Sequence, residues 1–276
     1  MTDLSQPVWS ALLAAARHDW TGDESLVRNV DGVELVIRQD HWQSSDALAP
    51  ADREALDLLL PIAGSSKPFC LAQLGQSLDG RIATSTGDSF YINGPETRAH
   101  LHRVRALVDA VVIGAGTAIA DLPQLTVRHV EGSDPVRVII DPSGRVPFVG
   151  PMFEKPDAPV LQLVATGLAP VKTPVHVRRV EIQSGENGFE PAAILAALHA
   201  EGLQRILIEG GGATVSRFIE ANALDYLHLL IAPLLIGSGR SGIELPPIDR
   251  LAEARRLSMT TFPVGGEMVV AVVFRK

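Results

Sequence analysis

The stretch Arg205-Ile206-Leu207-Ile208-Glu209-Gly210-Gly211-Gly212-Ala213-Thr214-Val215 constrains the fold more than any other part of the chain. Ile206, Leu207 and Ile208 form a short apolar run with the length and composition of a buried parallel strand. Three glycines follow directly. Val215, Phe218 and Ile219 then recur at i, i+3 and i+4, so a helix begins at the glycines. A strand that turns through glycines into a helix aims free backbone N–H groups at whatever lies over the turn. The helix dipole adds about half a positive charge there. This order predicts an anion site, most often for a ligand phosphate; a tight turn without a ligand is the bland alternative. It is not the Rossmann fingerprint, because no third glycine stands at the required offset and no acidic residue ends a following strand. Glu209 would repel a phosphate in this turn unless it points elsewhere, towards a second ligand.

The rest of the chain repeats the theme. Residues 69–74 and 110–113 read as buried strands, and Gly114-Ala115-Gly116-Thr117 makes a second glycine turn after a strand. Two such turns on one sheet fit two edges of one extended, phosphate-bearing ligand. Pro95 opens a helix capped by Asn93 or Gly94, with Leu101, Val104 and Val108 as its buried stripe. Arg98, His102 and Arg105 fall on another face. Such a face is usually solvated, but a guanidinium there also suits a substrate phosphate. Ser77-Leu78-Asp79-Gly80-Arg81 carries an Asp-Gly turn, residues 121–128 form a loop ending in Arg128, and residues 136–140 end at Asp141-Pro142-Ser143. Further strands are expected at 160–164, 175–182, 226–231 and 268–274, with a helix from Pro191 to Gly202. Alternating strands and helices predict an α/β fold with a largely parallel sheet. Residues 237–242 could bind phosphate but read as a plain turn.

Residues 1–65 form an α+β extension of unknown role, with a helix near 8–20, a strand at 33–37 and a helix at 55–60 stopping at Pro61. Residues 66–276 form the main domain. The 276 residues are 46% hydrophobic, enough for a large core. A net charge of −8 argues against a nucleic-acid or anionic-membrane binder. One cysteine excludes an intrachain disulfide, a Cys-rich zinc site and the zinc-deaminase Cys pair, so no metal is expected. No signal peptide or membrane-length apolar run is present, which fits a cytoplasmic protein.

From about residue 68 onward the chain resembles the pyrimidine reductases of riboflavin biosynthesis, the C-terminal half of the bifunctional bacterial deaminase-reductase. Five stretches carry the likeness in order: residues 77–83, 112–117, 121–128, 207–212 and 231–237. The resemblance implies a dihydrofolate-reductase-like fold, a mostly parallel central sheet flanked by helices. It also implies NADPH as cofactor and a homodimer. The matching cofactor positions are Gly75, Tyr91, Thr117, Asp121 and the turn of Gly211, Gly212, Ala213, Thr214 and Val215. Gly114 belongs to the second glycine turn. Ser143 stands near the place of the family's 2′-phosphate serine, which Pro142 occupies here. Ser89, Arg105, Leu125, Arg128 and Glu209 match its substrate contacts, with Arg105 and Arg128 expected to clamp a ribose phosphate. Glu209 is expected to serve catalysis; Asp79 and Asp121 are lesser candidates for proton handling. The implied reaction reduces the ribosylamino group of 5-amino-6-(5-phosphoribosylamino)uracil to ribitylamino. The alternatives are a paralogous reductase acting on another pterin, folate or pyrimidine, including the diamino-pyrimidinone ribosyl phosphate, and a non-catalytic nucleotide-binding protein.

Overall fold

The computed structural model describes residues 4–22, 25–39, 41–90, 92–186 and 188–274. The extension comprises helix α1 (Gln6–Arg17), an antiparallel three-stranded sheet of β1 (Leu26–Val30), β2 (Val33–Ile37) and β3 (Trp42–Ser44), and helix α2 (Pro50–Ala63). Pro61 does not end α2. The helix runs two residues past it and closes where the Gly64 N–H donates to the Leu60 carbonyl. A proline this close to the helix end forfeits only one late hydrogen bond.

The main body is built from β4 (Phe69–Ser77), β5 (Arg81–Thr84), α3 (Pro95–Leu107), β6 (Ala110–Gly114), α4 (Ala115–Asp121), β7 (Val136–Ile140), α5 (Pro151–Glu154), β8 (Val160–Ala165) and β9 (Val177–Ile182). It continues with α6 (Pro191–Ala200), β10 (Arg205–Glu209), α7 (Gly212–Glu220), β11 (Tyr226–Ala232), β12 (Gly239–Ser241), β13 (Ser258–Val264) and β14 (Glu267–Val273). Nine strands form one sheet in the order β13-β14-β11-β4-β10-β6-β7-β8-β9. From β11 to β9 every pairing is parallel, and β14 and β13 close the edge antiparallel. The expected mostly parallel sheet flanked by helices is therefore present.

Side-chain alternation divides the core into two layers. Ile206 and Ile208 of β10 face α6 and α7, where they pack with Ile194, Leu198, Val215 and Phe218. Leu207 faces the other way, into a layer holding Val104 and Leu107 of α3. The extension belongs to this second layer: Leu12, Leu35, Leu56 and Leu59 are fully buried in the same cluster. Trp9 Nε1 donates to the Glu131 carbonyl, and Arg17 bonds Ser133. Helices α1 and α2 thus cover α3, and α1 braces the loop that follows residue 128.

Two histidines lie in this layer. His100 of α3 and His228 of β11 are fully buried, with Nε2 and Nδ1 3.2 Å apart. Burial depresses both; His100 falls well below the usual histidine value and His228 to about 4. His102 is pulled down to about 3, first by burial and then by Arg105. Folded-state values below the unfolded value of about 6.5 mean that the unfolded chain takes up protons first. Stability is complete above about pH 6.5 and falls as pH drops towards the folded values. Between about pH 6.5 and 5 each histidine should remove up to about 1.4 kcal/mol per pH unit. Urea unfolding across that range checks this, and a His100→Leu/His228→Leu variant should lose about two thirds of the slope.

Candidate active site

The next side chain along β10 on the α3 face after Leu207 is Glu209. In-register neighbours on parallel strands share a face, so Gln73 of β4 and His228 of β11 line up beside it. The sequence-predicted carboxylate therefore points at α3, away from the glycine turn. There it meets Arg105, whose Nε and Nη2 each donate to one carboxylate oxygen at 2.7 Å. Arg105 Nη1 donates to the Thr126 carbonyl at 3.0 Å. Both residues are buried. The basic helix face read from the sequence thus resolves differently. Arg98 is exposed, but His102 and Arg105 turn inward, and all three guanidinium nitrogens of Arg105 donate to protein acceptors.

Leu125 and Thr126 are buried beside the pair, and Leu122 and Leu125 take left-handed backbone at φ 43° and 59°. That conformation costs a leucine about 1–2 kcal/mol. Arg128 follows, its N–H donating to His102 Nδ1 and its Nη1 to Gln124 and Thr126. Burial, and then the charge of Arg105, lowers its pKa.

A cavity of about 610 Å³ opens over Glu209. Gln73, Gly75, Ser89, Thr97, Gly114, Thr117, Asp121, Gly210, Gly211, Ala213 and Thr214 line it. Two of these, Gln73 and Thr97, are buried with side-chain polar atoms that no described residue satisfies: both amide atoms of Gln73 and the Thr97 hydroxyl. Buried polar groups are normally paired, so these two are set to meet a ligand. The sequence held one signal for Gln73, a lone amide in an apolar strand. Asp121 sits on the rim, where partial desolvation raises its carboxyl pKa.

The glycine turn forms the opposite wall. Gly210 has φ +103°, a conformation that favours glycine, and the Gly211 N–H donates to the Thr117 hydroxyl at 3.2 Å. Gly211 caps α7 without a side-chain cap; the Thr214 N–H turns back to the Gly211 carbonyl, which leaves the Gly212 and Ala213 N–H groups for an anion. Gly114 faces Thr214, and a Cβ there would stand 2.9 Å from the Thr214 hydroxyl. A second cavity of about 340 Å³ adjoins the first; both include Gly114, Gly116, Ala213 and Thr214 in their walls. Ser143, Arg145 and Arg217 line its far side. A phosphate-bearing dinucleotide fits this pair of cavities: open helix amides in the middle and two guanidinium groups at one end.

Four sequence expectations need correction or placement. Asp79 does not line the cavity. Its carboxylate accepts from Ser77, the Ile236 N–H and the Gly237 N–H at 2.6 Å, which hold it ionised at a pKa of about 2. It clamps a turn. Val215 is fully buried in the core, and its N–H bonds back to the Gly211 carbonyl. Gly212 is buried beneath the 241–242 loop, where a Cβ would overlap the Gly242 carbonyl oxygen. Tyr91 lies outside the described residues.

Residues 68–267 match the RibD C-terminal domain. The chain belongs to that family. A 2,5-diamino-6-ribosylamino-4(3H)-pyrimidinone 5′-phosphate reductase of Methanothermobacter thermautotrophicus is 30% identical over 213 residues, 74% of this chain and 97% of the relative. Riboflavin biosynthesis protein RibD of Escherichia coli is 29% identical over 201 residues, and the chain spans 54% of its length. Among solved structures, a deaminase/5-amino-6-(5-phosphoribosylamino)uracil reductase of Thermotoga maritima superposes with a TM-score of 0.64 at 26% identity, over 80% of this chain and 62% of that one. Two of these three names specify a reductase acting on a ribosylamino-pyrimidine, and the third a riboflavin-biosynthesis protein. Among the described residues no helix is long and apolar enough to cross a membrane, and no cluster of candidate metal ligands occurs.

Proposed function

We propose that the chain reduces the ribosylamino group of 5-amino-6-(5-phosphoribosylamino)uracil to ribitylamino, with NADPH as reductant. One observation carries the reading: a single cavity joins open helix amides and a glycine turn on one wall to Gln73, Thr97 and Glu209 on the other. NADPH supplies a hydride when bound, and the residues of the chain do the rest. Gly211, Ala213 and Thr214 hold the diphosphate, while Ser143, Arg145 and Arg217 receive the 2′-phosphate. The amide of Gln73 offers a donor and an acceptor side by side, the complement of a pyrimidinone edge. Glu209 is fixed by Arg105 and presents its carboxylate below the same edge. Opening the ribosylamine ring to an imine and reducing C1′ takes up one proton overall. Asp121 is the titratable rim group whose raised pKa suits proton handling. Ser89 stands on the substrate side of the cavity, whereas Leu125 and Arg128 lie outside its walls, where Arg128 braces the loop through Gln124 and Thr126.

A second substrate is favoured by the Methanothermobacter relative, 97% of which the match covers: the 2,5-diamino-pyrimidinone, which carries an amino group where the uracil has an oxygen. A rotatable Gln73 amide accommodates either. The homodimer is part of the same reading; the outermost strand β13 exposes Met259, and Leu251 and Leu257 lie exposed just ahead of it. To test the reaction, NADPH deuterated at C4 of the nicotinamide is supplied with each pyrimidine. Deuterium should appear at C1′ of a ribityl product, and a product lacking it there would sink the proposal.

A further inference from the structure

The 237–242 stretch, a plain turn by sequence, contributes Arg240 to the lining of the cavity. β12 pairs antiparallel with β5, and the register breaks between Arg240 and Ser241. A bulge of this kind re-aims a side chain. The backbone around it is pinned on both sides. Asp79 takes the Ile236 and Gly237 N–H groups, and Arg81 donates from Nε to the Gly237 carbonyl and from Nη1 to Ser241 Oγ. Beyond the strand, the Gly242 N–H donates to the Gly80 carbonyl, and the Glu244 N–H to Ser216 Oγ of α7. The Asp79-Gly80-Arg81 turn therefore acts structurally, fixing the segment that carries Arg240.

The Arg240 side chain is not used in that fixing. It makes no hydrogen bond or ion pair with any described residue, and it lines the cavity together with Ser89. Its guanidinium lies over Gly87, 3.1 Å from where a Cβ would stand, at a φ of +97°. Arg105, by contrast, has given its donors to Glu209 and Thr126, and Arg128 has given Nη1 to Gln124 and Thr126. A cation held by a pinned backbone, aimed into a ligand cavity and lacking a protein acceptor, is arranged for an anion from outside. A guanidinium binds phosphate through parallel N–H donors.

We propose that Arg240 contacts a phosphate of a ligand in the main cavity, a residue role outside the expected substrate and cofactor sets. The inference rests on the reading that these ligands are phosphorylated. Two sources share the chemistry, the ribosyl 5′-phosphate and the cofactor diphosphate, and binding measurements separate them.

The intact chain and Arg240→Ala are titrated with NADPH by fluorescence and with ribose 5-phosphate by calorimetry. Arg240→Ala should weaken one of the two ligands about tenfold or more, with Arg240→Lys intermediate. Weakening of ribose 5-phosphate alone assigns Arg240 to the substrate, and weakening of NADPH alone assigns it to the diphosphate. The melting temperature should not move, since no protein contact is lost. Unchanged affinity for both ligands, or no binding of either by the unaltered chain, overturns the inference. Turnover of a ribosylamino-pyrimidine by the unaltered chain reports separately on the proposed reaction.

Discussion

Glu209→Ala should destabilise the protein by about 3–5 kcal/mol, because it leaves the Arg105 guanidinium buried without its counter-charge. The two side chains are 7% and 9% exposed, and both carboxylate oxygens are committed at 2.7 Å. Against a total stability of about 5–15 kcal/mol, this is a large fraction. Urea unfolding measures it, and a loss below about 1 kcal/mol would show that the pair is not buried as described. A second variant separates fold from chemistry. Arg105→Met/Glu209→Leu replaces the pair by apolar groups of similar size, a change that is often neutral or stabilising. It should restore stability near that of the unaltered chain while turnover stays lost. Recovery of turnover along with stability would confine Glu209 to a structural role.

Removing the two guanidinium groups of the second cavity should erase the proposed preference for NADPH. Arg145 and Arg217 line it with Ser143, and Arg217 spends only Nη2 on the protein, donating to the Phe189 carbonyl. A hydrogen bond to a charged group is worth about 1.5–3 kcal/mol, less where water screens it. Both arginines are largely exposed. Their joint removal is therefore expected to cost about 3 kcal/mol, close to a hundredfold in NADPH affinity. NADH, which lacks the 2′-phosphate, should bind the Arg145→Ala/Arg217→Ala variant as it binds the unaltered chain. Equal losses for the two cofactors would place the 2′-phosphate elsewhere. Pro142 in the family's serine position does not decide the cofactor if Arg145 and Arg217 supply the recognition.

The parts of the site that were legible in the sequence are those set by local order. An apolar triplet, three glycines and an amphipathic helix in succession admit few structures, and α7 begins where they indicate. Elements held mainly by partners distant in sequence were not legible. β12 pairs with β5 across more than 150 residues of sequence, and β13, with Pro263 and an exposed outer face, lacks the alternation of a strand packed on one side. The same limit explains Arg105. A helical wheel groups it with Arg98 and His102, but its partner stands 104 residues away at the end of a strand. Asp79 looked chemical because it stands in a turn motif; its partners are backbone amides more than 150 residues on. Val215 shares the turn's sequence but not its surface, since by then the helix has rotated it into the core.

The measurement that bears most directly on the central claim is NADPH consumption by the intact chain with 5-amino-6-(5-phosphoribosylamino)uracil, run beside the 2,5-diamino-pyrimidinone ribosyl phosphate and dihydrofolate. The proposed function predicts turnover of a ribosylamino-pyrimidine with formation of its ribityl product, and none with dihydrofolate. Tight NADPH binding without consumption in the presence of either pyrimidine would contradict it.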